Sequence, residues 1–222
     1  MIKKVAFYSK INKPDIKEII AYLNQHFEEV FIFQSDSSSS KMPSEAFEVE
    51  PDLLISYLSP WIIPDAILNK TRLFNINFHP GSPDYPGIGC FNFALYDMAK
   101  EYGITAHLME KVVDSGKIVR VKKFPVLPSD TVHSLSLKSY SYMFNLFIEL
   151  VDYIKQNNNL PPCSEVWKRK AYTRKELENL CKIDINMSTE EIDKRIRATY
   201  YPGMPSAYVE IQNHKFEYNP ER

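Results

Sequence analysis

The chain has 222 residues, 44% of them hydrophobic, and a formal net charge of −1. That length supports one domain with a substantial core plus a small addition, and the near-neutral balance, without a long Lys or Arg run, speaks against a partner such as DNA or tRNA phosphate. The three cysteines (Cys90, Cys163, Cys181) form no CxxC pair and the five histidines lack HExxH spacing, so neither a disulfide framework nor a metal site is expected, and a reducing cytoplasm is the expected setting.

Ile2 to Tyr8 reads as a short buried strand, Pro14 to Phe27 as a helix with Ile16, Ile19, Ile20, Leu23 and Phe27 on one stripe, and Val30 to Phe33 as a strand. This opens a β-α-β unit, so the expected class is α/β: a Rossmann-like, mixed but mostly parallel sheet flanked by helices. The first eighty residues contain no glycine, which removes a Walker loop and a GxGxxG turn. MIKKVAFYSK is too short for a signal-peptide core, and the most apolar run, DLLISYLSPWIIPDAIL, is broken by Pro60 and Pro64, short of the ~20 residues of a membrane span.

The serine-rich stretch 35–48 reads as a polar surface loop, Asp52 to Leu58 as a strand, and SPWIIPDAIL as a turn entering a short helix. Trp61, Ile62 and Ile63 either seal the sheet or frame a ligand, and the residues alone leave both open. In the next strand Phe74, Ile76 and Phe78 alternate with Asn75, Asn77 and His79, which places a polar row on one face. Pro80, Gly81, Pro83, Pro86, Gly87 and Gly89 then force a long shaped loop. A helix is expected from Phe91 to Glu101 with Gly103 as its C-cap, followed by an apolar strand from Ile104 to Val113. VVDSG reads as the tight turn of an antiparallel hairpin that continues through Ile118, Val119 and Val121, and it puts Asp114 on the rim that carries His79. His107 reads as a core histidine or one that supports others.

Two readings of Asn77 and His79 stand: caps for a bending strand, or chemistry. With Asp114 they make a possible set in which a carboxylate holds an imidazole base and an amide donates to an oxyanion. No Ser or Cys nucleophile is fixed beside them, which suggests direct attack by a substrate on an activated acyl carbon. Residues 130–156 form the longest expected helix, and QNNNLPPC a linker that divides a main domain, 1–156, from an appendage, 157–222. Thr173-x-x-Glu176 and Ser188-x-x-Glu191 are capping-box patterns, and 207–212 with 215–218 form a hairpin turning at Asn213.

Asn77-x-His79, the HPGSPDYPG loop, the helix FNFALYDMAKEYG and then GITAHLMEKVVDSGKI, with Asp114 at 114 − 79 = 35 residues past the histidine, resemble the folate-dependent formyltransferases over roughly residues 50–210. PDYPGIGCFNFALY is similar to the branch acting on nucleotide-linked amino sugars, and RIRATYYPGMPSAYVEI to the C-terminal segment of these enzymes. The resemblance implies formyl transfer from 10-formyltetrahydrofolate to the amine of a nucleotide-linked amino-dideoxyhexose, carried by dTDP, in the making of a lipopolysaccharide O-antigen by a cytoplasmic homodimer. It assigns catalysis to Asn77, His79 and Asp114, and the cofactor to Tyr57, Leu58, Ile62, Ile63, Met109, Val112, Val113 and Asp114. Pro80, Gly81, Tyr85 and Gly87 would enclose the sugar. Ser9 and Lys10, at the carboxyl end of the first strand, or Arg197, Tyr201 and Tyr208 would meet the nucleotide, the latter three reading equally as packing. One rival is formylation of methionyl-tRNA, against which the tail sets Glu210, Glu217 and Glu221 beside Lys215 and Arg222. The other is a non-catalytic folate- or sugar-nucleotide-binding homologue, against which stand all three catalytic residue types.

Overall fold

Two strands with unbroken apolar runs form the centre of the sheet. β1 (Lys4–Ser9) and β3 (Leu53–Tyr57) are buried on both faces, as central parallel strands are. The structure is a computed structural model that describes residues 1–204 and 206–220; Glu221 and Arg222, part of the tail's charge balance, lie outside the described residues. From β1 the chain passes through α1 (Ile16–His26) to β2 (Glu29–Gln34) on one side, then through a short 3₁₀ turn (Ser44–Phe47) to β3 on the other. α2 (Asp65–Leu68), β4 (Phe74–His79), α3 (Cys90–Tyr96), β5 (Glu101–Leu108), β6 (Ile118–Pro125) and α4 (Val132–Asn157) follow. The strand order is β2-β1-β3-β4-β5-β6. β1 pairs parallel with β2 and β3, and β3 with β4, whereas β4/β5 and β5/β6 are antiparallel. Because the chain leaves β1 in both directions, the carboxyl ends of β1 and β3 diverge and open a crevice.

The period of two in β1 sends Val5 and Phe7 to one layer, against Ile16, Ile19 and Leu23 of α1 and the apolar face of α4, while Ala6 and Tyr8 meet Ala46, Ile67 and Leu68 in the other. Phe147 of α4 is wholly buried, its ring 6.0 Å from that of Tyr57 and 5.4 Å from that of Phe78. α4 starts at a capping box in which Thr131 and Ser134 bond each other's backbone N–H, a pattern without Glu or Gln that sequence reading passed over.

Three expectations need correction. The helix expected to reach Glu101 stops at Tyr96; Met98 turns left-handed (φ 52°) and Glu101 begins β5. Gly103 therefore lies inside a strand, opposite Lys123, and is no cap. Local propensity of Met98, Ala99 and Lys100 yields there to the pairing of Glu101 to Ile104 with β6 and to the burial of Tyr102 and Ile104. β5 ends at Leu108, and residues 109–117 make a loop, not a tight turn, with Glu110 to Val113 exposed. Ser188 caps α6 (Thr189–Thr199) by accepting from the Glu191 N–H, but the Glu191 carboxylate turns to Tyr96 and Arg195, so the second half of the box is absent.

The segment after α4 is no loose tether. The Lys168 N–H donates to the Pro83 carbonyl (3.0 Å), Tyr172 and the 86–88 stretch exchange two backbone bonds (2.8 and 3.0 Å), and the Tyr172 ring stacks on Phe93 at 3.6 Å. α5 (Arg174–Cys181) and α6 follow, and α6 packs on α3 through Asn92 to the Ala198 carbonyl (2.8 Å). β7 (Tyr208–Ile211) and β8 (His214–Glu217) form the expected hairpin. Among the described residues no helix is long and apolar enough to cross a membrane.

Candidate active site

Asn77 and His79 lie two apart on β4, so they share a face; β5 places His107 opposite Asn77 and Thr105 opposite His79. Thr105 Oγ1 donates to the Gly81 carbonyl (2.7 Å) and fixes the start of the proline-rich loop. A register shift between Ala106 and His107 bulges the β5/β6 pairing at this point, a device that re-aims side chains beside sites. Sequence reading took His107 as a core histidine or one that supports others; it is buried, and it stands against both Asp114 and Asn77. Its alternation with Thr105 on the Asn77/His79 face was the available signal.

Asp114 closes the group from the 109–117 loop. It holds a left-handed backbone (φ 47°) and is 6% exposed. Its Oδ2 lies 3.2 Å from His79 Nδ1 and accepts the Gly87 N–H at 2.8 Å; its Oδ1 lies 3.1 Å from His107 Nε2. Burial raises the Asp114 carboxyl, but the adjacent His79 and His107 rings and the Gly87 amide outweigh it and hold the group well below the usual carboxylate range. His107 Nδ1–H donates to the Leu108 carbonyl (2.8 Å), which leaves Nε2 between Asp114 and the Asn77 amide nitrogen (3.1 Å). His79 Nε2 faces the Tyr85 carbonyl at 3.1 Å, so both its nitrogens face oxygen acceptors. Gly87 has φ 87°, and a Cβ there would fall 2.5 Å from the Tyr172 carbonyl oxygen, so only glycine delivers its N–H to Asp114.

The cluster opens on a cavity of about 400 Å³ lying over the crevice between β1 and β3. One wall is apolar: Leu58, Trp61, Ile62, Ile63, Met109, Val112 and Val113. Leu58 stands there at φ 52°, a strained setting for a branched side chain. Lys10 and Lys13 also line the cavity, with Lys13 Nζ 5.4 Å from the centre of the Tyr140 ring. Partial burial, then the charge of Lys10, lower the Lys13 pKa.

Asn77, His79, Asp114, Leu58, Ile62, Ile63, Met109, Val112, Val113, Lys10, Pro80 and Gly87 thus line one cavity. Seven other candidates do not; one of them, Tyr208, lies on β7 with Lys215 Nζ 4.2 Å from the centre of its ring. Ser9 is wholly buried and accepts from Gln34 Nε2 (2.9 Å); Tyr57 is wholly buried among Phe7, Phe78 and Phe147. Gly81 sits behind His79, and Tyr85 turns its ring to Tyr102 (6.0 Å) and gives the site only its carbonyl. Arg197 donates to the Asp130 carbonyl (3.3 Å) and Tyr201 packs on His133 (5.1 Å), so both join α6 to the start of α4. Ser9, Tyr85, Arg197 and Tyr201 thus meet internal partners, whereas the buried Tyr57 hydroxyl has no hydrogen-bond partner among the described residues. Lys13 and Tyr140 were missed, since nothing local marks a lysine after a strand or a tyrosine inside a long amphipathic helix.

The formyl transferase family model matches residues 8–151, which include every residue lining the cavity and the whole Asn–His–Asp set. Methionyl-tRNA formyltransferase of Dictyoglomus thermophilum is 34% identical over 153 residues, 68% of this chain and 48% of that protein. The chain spans about half the length of the curated methionyl-tRNA formyltransferases it matches. A sugar N-formyltransferase from Shewanella superposes with a TM-score of 0.78 at 20% identity, covering 97% of this chain and 96% of that one. The N-formyltransferase from Helicobacter canadensis, in complex with folinic acid and dTDP-3-aminofucose, superposes with a TM-score of 0.70 at 20% identity, covering 96% and 85%. The match runs through the strands that build the crevice and through every residue of the cluster they carry, and the chain belongs to the formyl transferase family.

Proposed function

We propose that the protein transfers a formyl group from 10-formyltetrahydrofolate to the amine of a nucleotide-linked amino-dideoxyhexose, carried by dTDP. The observation that carries this reading is the Asn77–His79–Asp114 cluster, with Asp114 3.2 Å from His79, in a cavity lined by apolar side chains and two lysines. The wall fits a flat ring system: Leu58, Trp61, Ile62, Ile63, Met109 and Val113 would hold the folate, which supplies the activated formyl carbon when bound. Lys10 and Lys13, which make no ion pair among the described residues, would meet the phosphates. The Helicobacter relative's two ligands are of these two kinds.

In this reading His79 takes the proton that the attacking amine must lose, Asp114 stabilises the charged ring, and His79 would return the proton to the donor nitrogen as its bond to the formyl carbon breaks. The Asn77 amide donates to the formyl oxygen as negative charge builds there, an interaction whose loss typically costs ~3 kcal/mol. The substitution His79→Asn tests the assignment: formyl transfer falls ~100-fold or more while folate affinity stays near that of the parent. Persisting transfer would remove His79 from the role. A panel of dTDP-, UDP- and GDP-linked amino sugars, scored by transfer and by thermal shift, identifies the acceptor.

A second reading, formylation of methionyl-tRNA, is favoured by the 34% identity to the Dictyoglomus enzyme. A gel shift with tRNA at several salt concentrations separates the two, since phosphate-driven binding weakens steeply with salt. Homodimerisation, a cytoplasmic setting, a role in O-antigen synthesis and the division at residue 156 are further parts of the proposal, the first checked by light scattering.

A further inference from the structure

Trp167 belongs to the irregular segment between α4 and α5, far in sequence from every residue of the cluster, yet its ring stands 5.1 Å from His107 and 6.1 Å from His79, at 80° and 70° to them. Its indole N–H donates to the Gly116 carbonyl (2.8 Å), two residues past Asp114. It does not line the cavity, so it touches both imidazoles from outside. The next residue, Lys168, is bonded through its N–H to Pro83 in the proline-rich loop, and Tyr172 brackets Gly87, the residue that donates to Asp114. One strap therefore touches all three pieces that meet at Asp114: the histidines, the 109–117 loop and the 80–89 loop.

We infer that Trp167 is a positioning residue for formyl transfer, one that fixes the Asp114 carboxylate against His79 and keeps water from the outer side of the pair; this rests on the function proposed above. Three observations support it. His79, His107 and Asp114 are 6%, 2% and 6% exposed although they lie on a loop-built rim. Asp114 holds a left-handed backbone that its own side chain must be held in against strain. Nothing else among the described residues bonds the Gly116 carbonyl to a side chain.

The test compares Trp167→Ala and Trp167→Phe with the parent, in formyl transfer and in the NMR titration of the imidazole signals. Misplacing a reacting group by an ångström costs about 100-fold, so Trp167→Ala is expected to lower kcat ~10- to 100-fold with both KM values within about threefold. Water admitted beside Asp114 screens its charge, so the acid limb of the kcat profile and the imidazole titrations move to lower pH. Trp167→Phe keeps a ring but not the N–H, and recovers much of the loss. Unchanged kcat with unchanged imidazole titrations in Trp167→Ala would overturn the inference. So would a loss of rate matched by loss of folded protein in both variants, with the limb in place. If the parent formylates no sugar nucleotide, the proposed function fails by itself, and the NMR titration, which needs no substrate, still decides the role of Trp167.

Discussion

Replacing Asp114 by Asn keeps the size of the side chain and removes its charge. The carboxylate stands 3.2 Å from one histidine nitrogen and 3.1 Å from another. At an effective dielectric of 20, a charge pair at that distance is worth roughly 5 kcal/mol. That attraction is present only while a ring is protonated, so it lowers the barrier to proton uptake more than it affects the resting site. Each 1.36 kcal/mol is a factor of ten in rate. Water and the retained Gly87 N–H recover part of the loss, so the expected fall in kcat is about 1,000-fold, with KM for folate changed little. Single-turnover transfer of formyl to the amino sugar measures it. A fall smaller than tenfold would show that Asp114 does no more than shape the loop, and the electrostatic account of the site would be wrong.

Gly87→Ala forces a side chain onto φ 87° and into the Tyr172 backbone at 2.5 Å; stability falls by about 2 kcal/mol or more in urea unfolding, with a larger loss of transfer because the N–H to Asp114 is displaced. Phe147→Ala empties a wholly buried ring site between Tyr57 and Phe78, and costs about 3–5 kcal/mol, a drop in Tm on the order of 10 °C by calorimetry. Asp52, Asp114 and Asp130 are all held below the usual carboxylate range: burial opposes this in each, but N–H donors and neighbouring cations outweigh it. Depressed carboxylates stabilise the fold fully above their ordinary value, so stability declines as pH falls below about 4. Urea midpoints at pH 7, 4 and 3 check this, and Asp114→Asn should flatten the decline.

Much of the site was legible because strand periodicity places side chains two by two: Phe74 to His79 gave both the strand and its polar face, and the glycines and prolines after it gave the loop. The extent of α3 was not, because Met98 to Lys100 favour a helix locally and only the pairing of Glu101 to Ile104 with β6 ends it. That Arg197 and Tyr201 stand outside the cavity was not legible, because composition says nothing about which internal carbonyl or ring they meet. Trp167 left no trace at all: its partners lie about fifty residues and more upstream, and no local pattern reports a contact of that range.

The reversal of chain direction at β1 has a consequence for how such a molecule can diversify. Lys10 and Lys13 ride on the connection after β1, the apolar wall on those after β3 and β5, and the reactive pair on β4 itself. Under the proposed function, recognition of an acceptor's anionic handle and performance of the chemistry would be written in separate stretches of polypeptide. A lineage can exchange the first connection for another and inherit a new acceptor while the reactive machinery stays as it is.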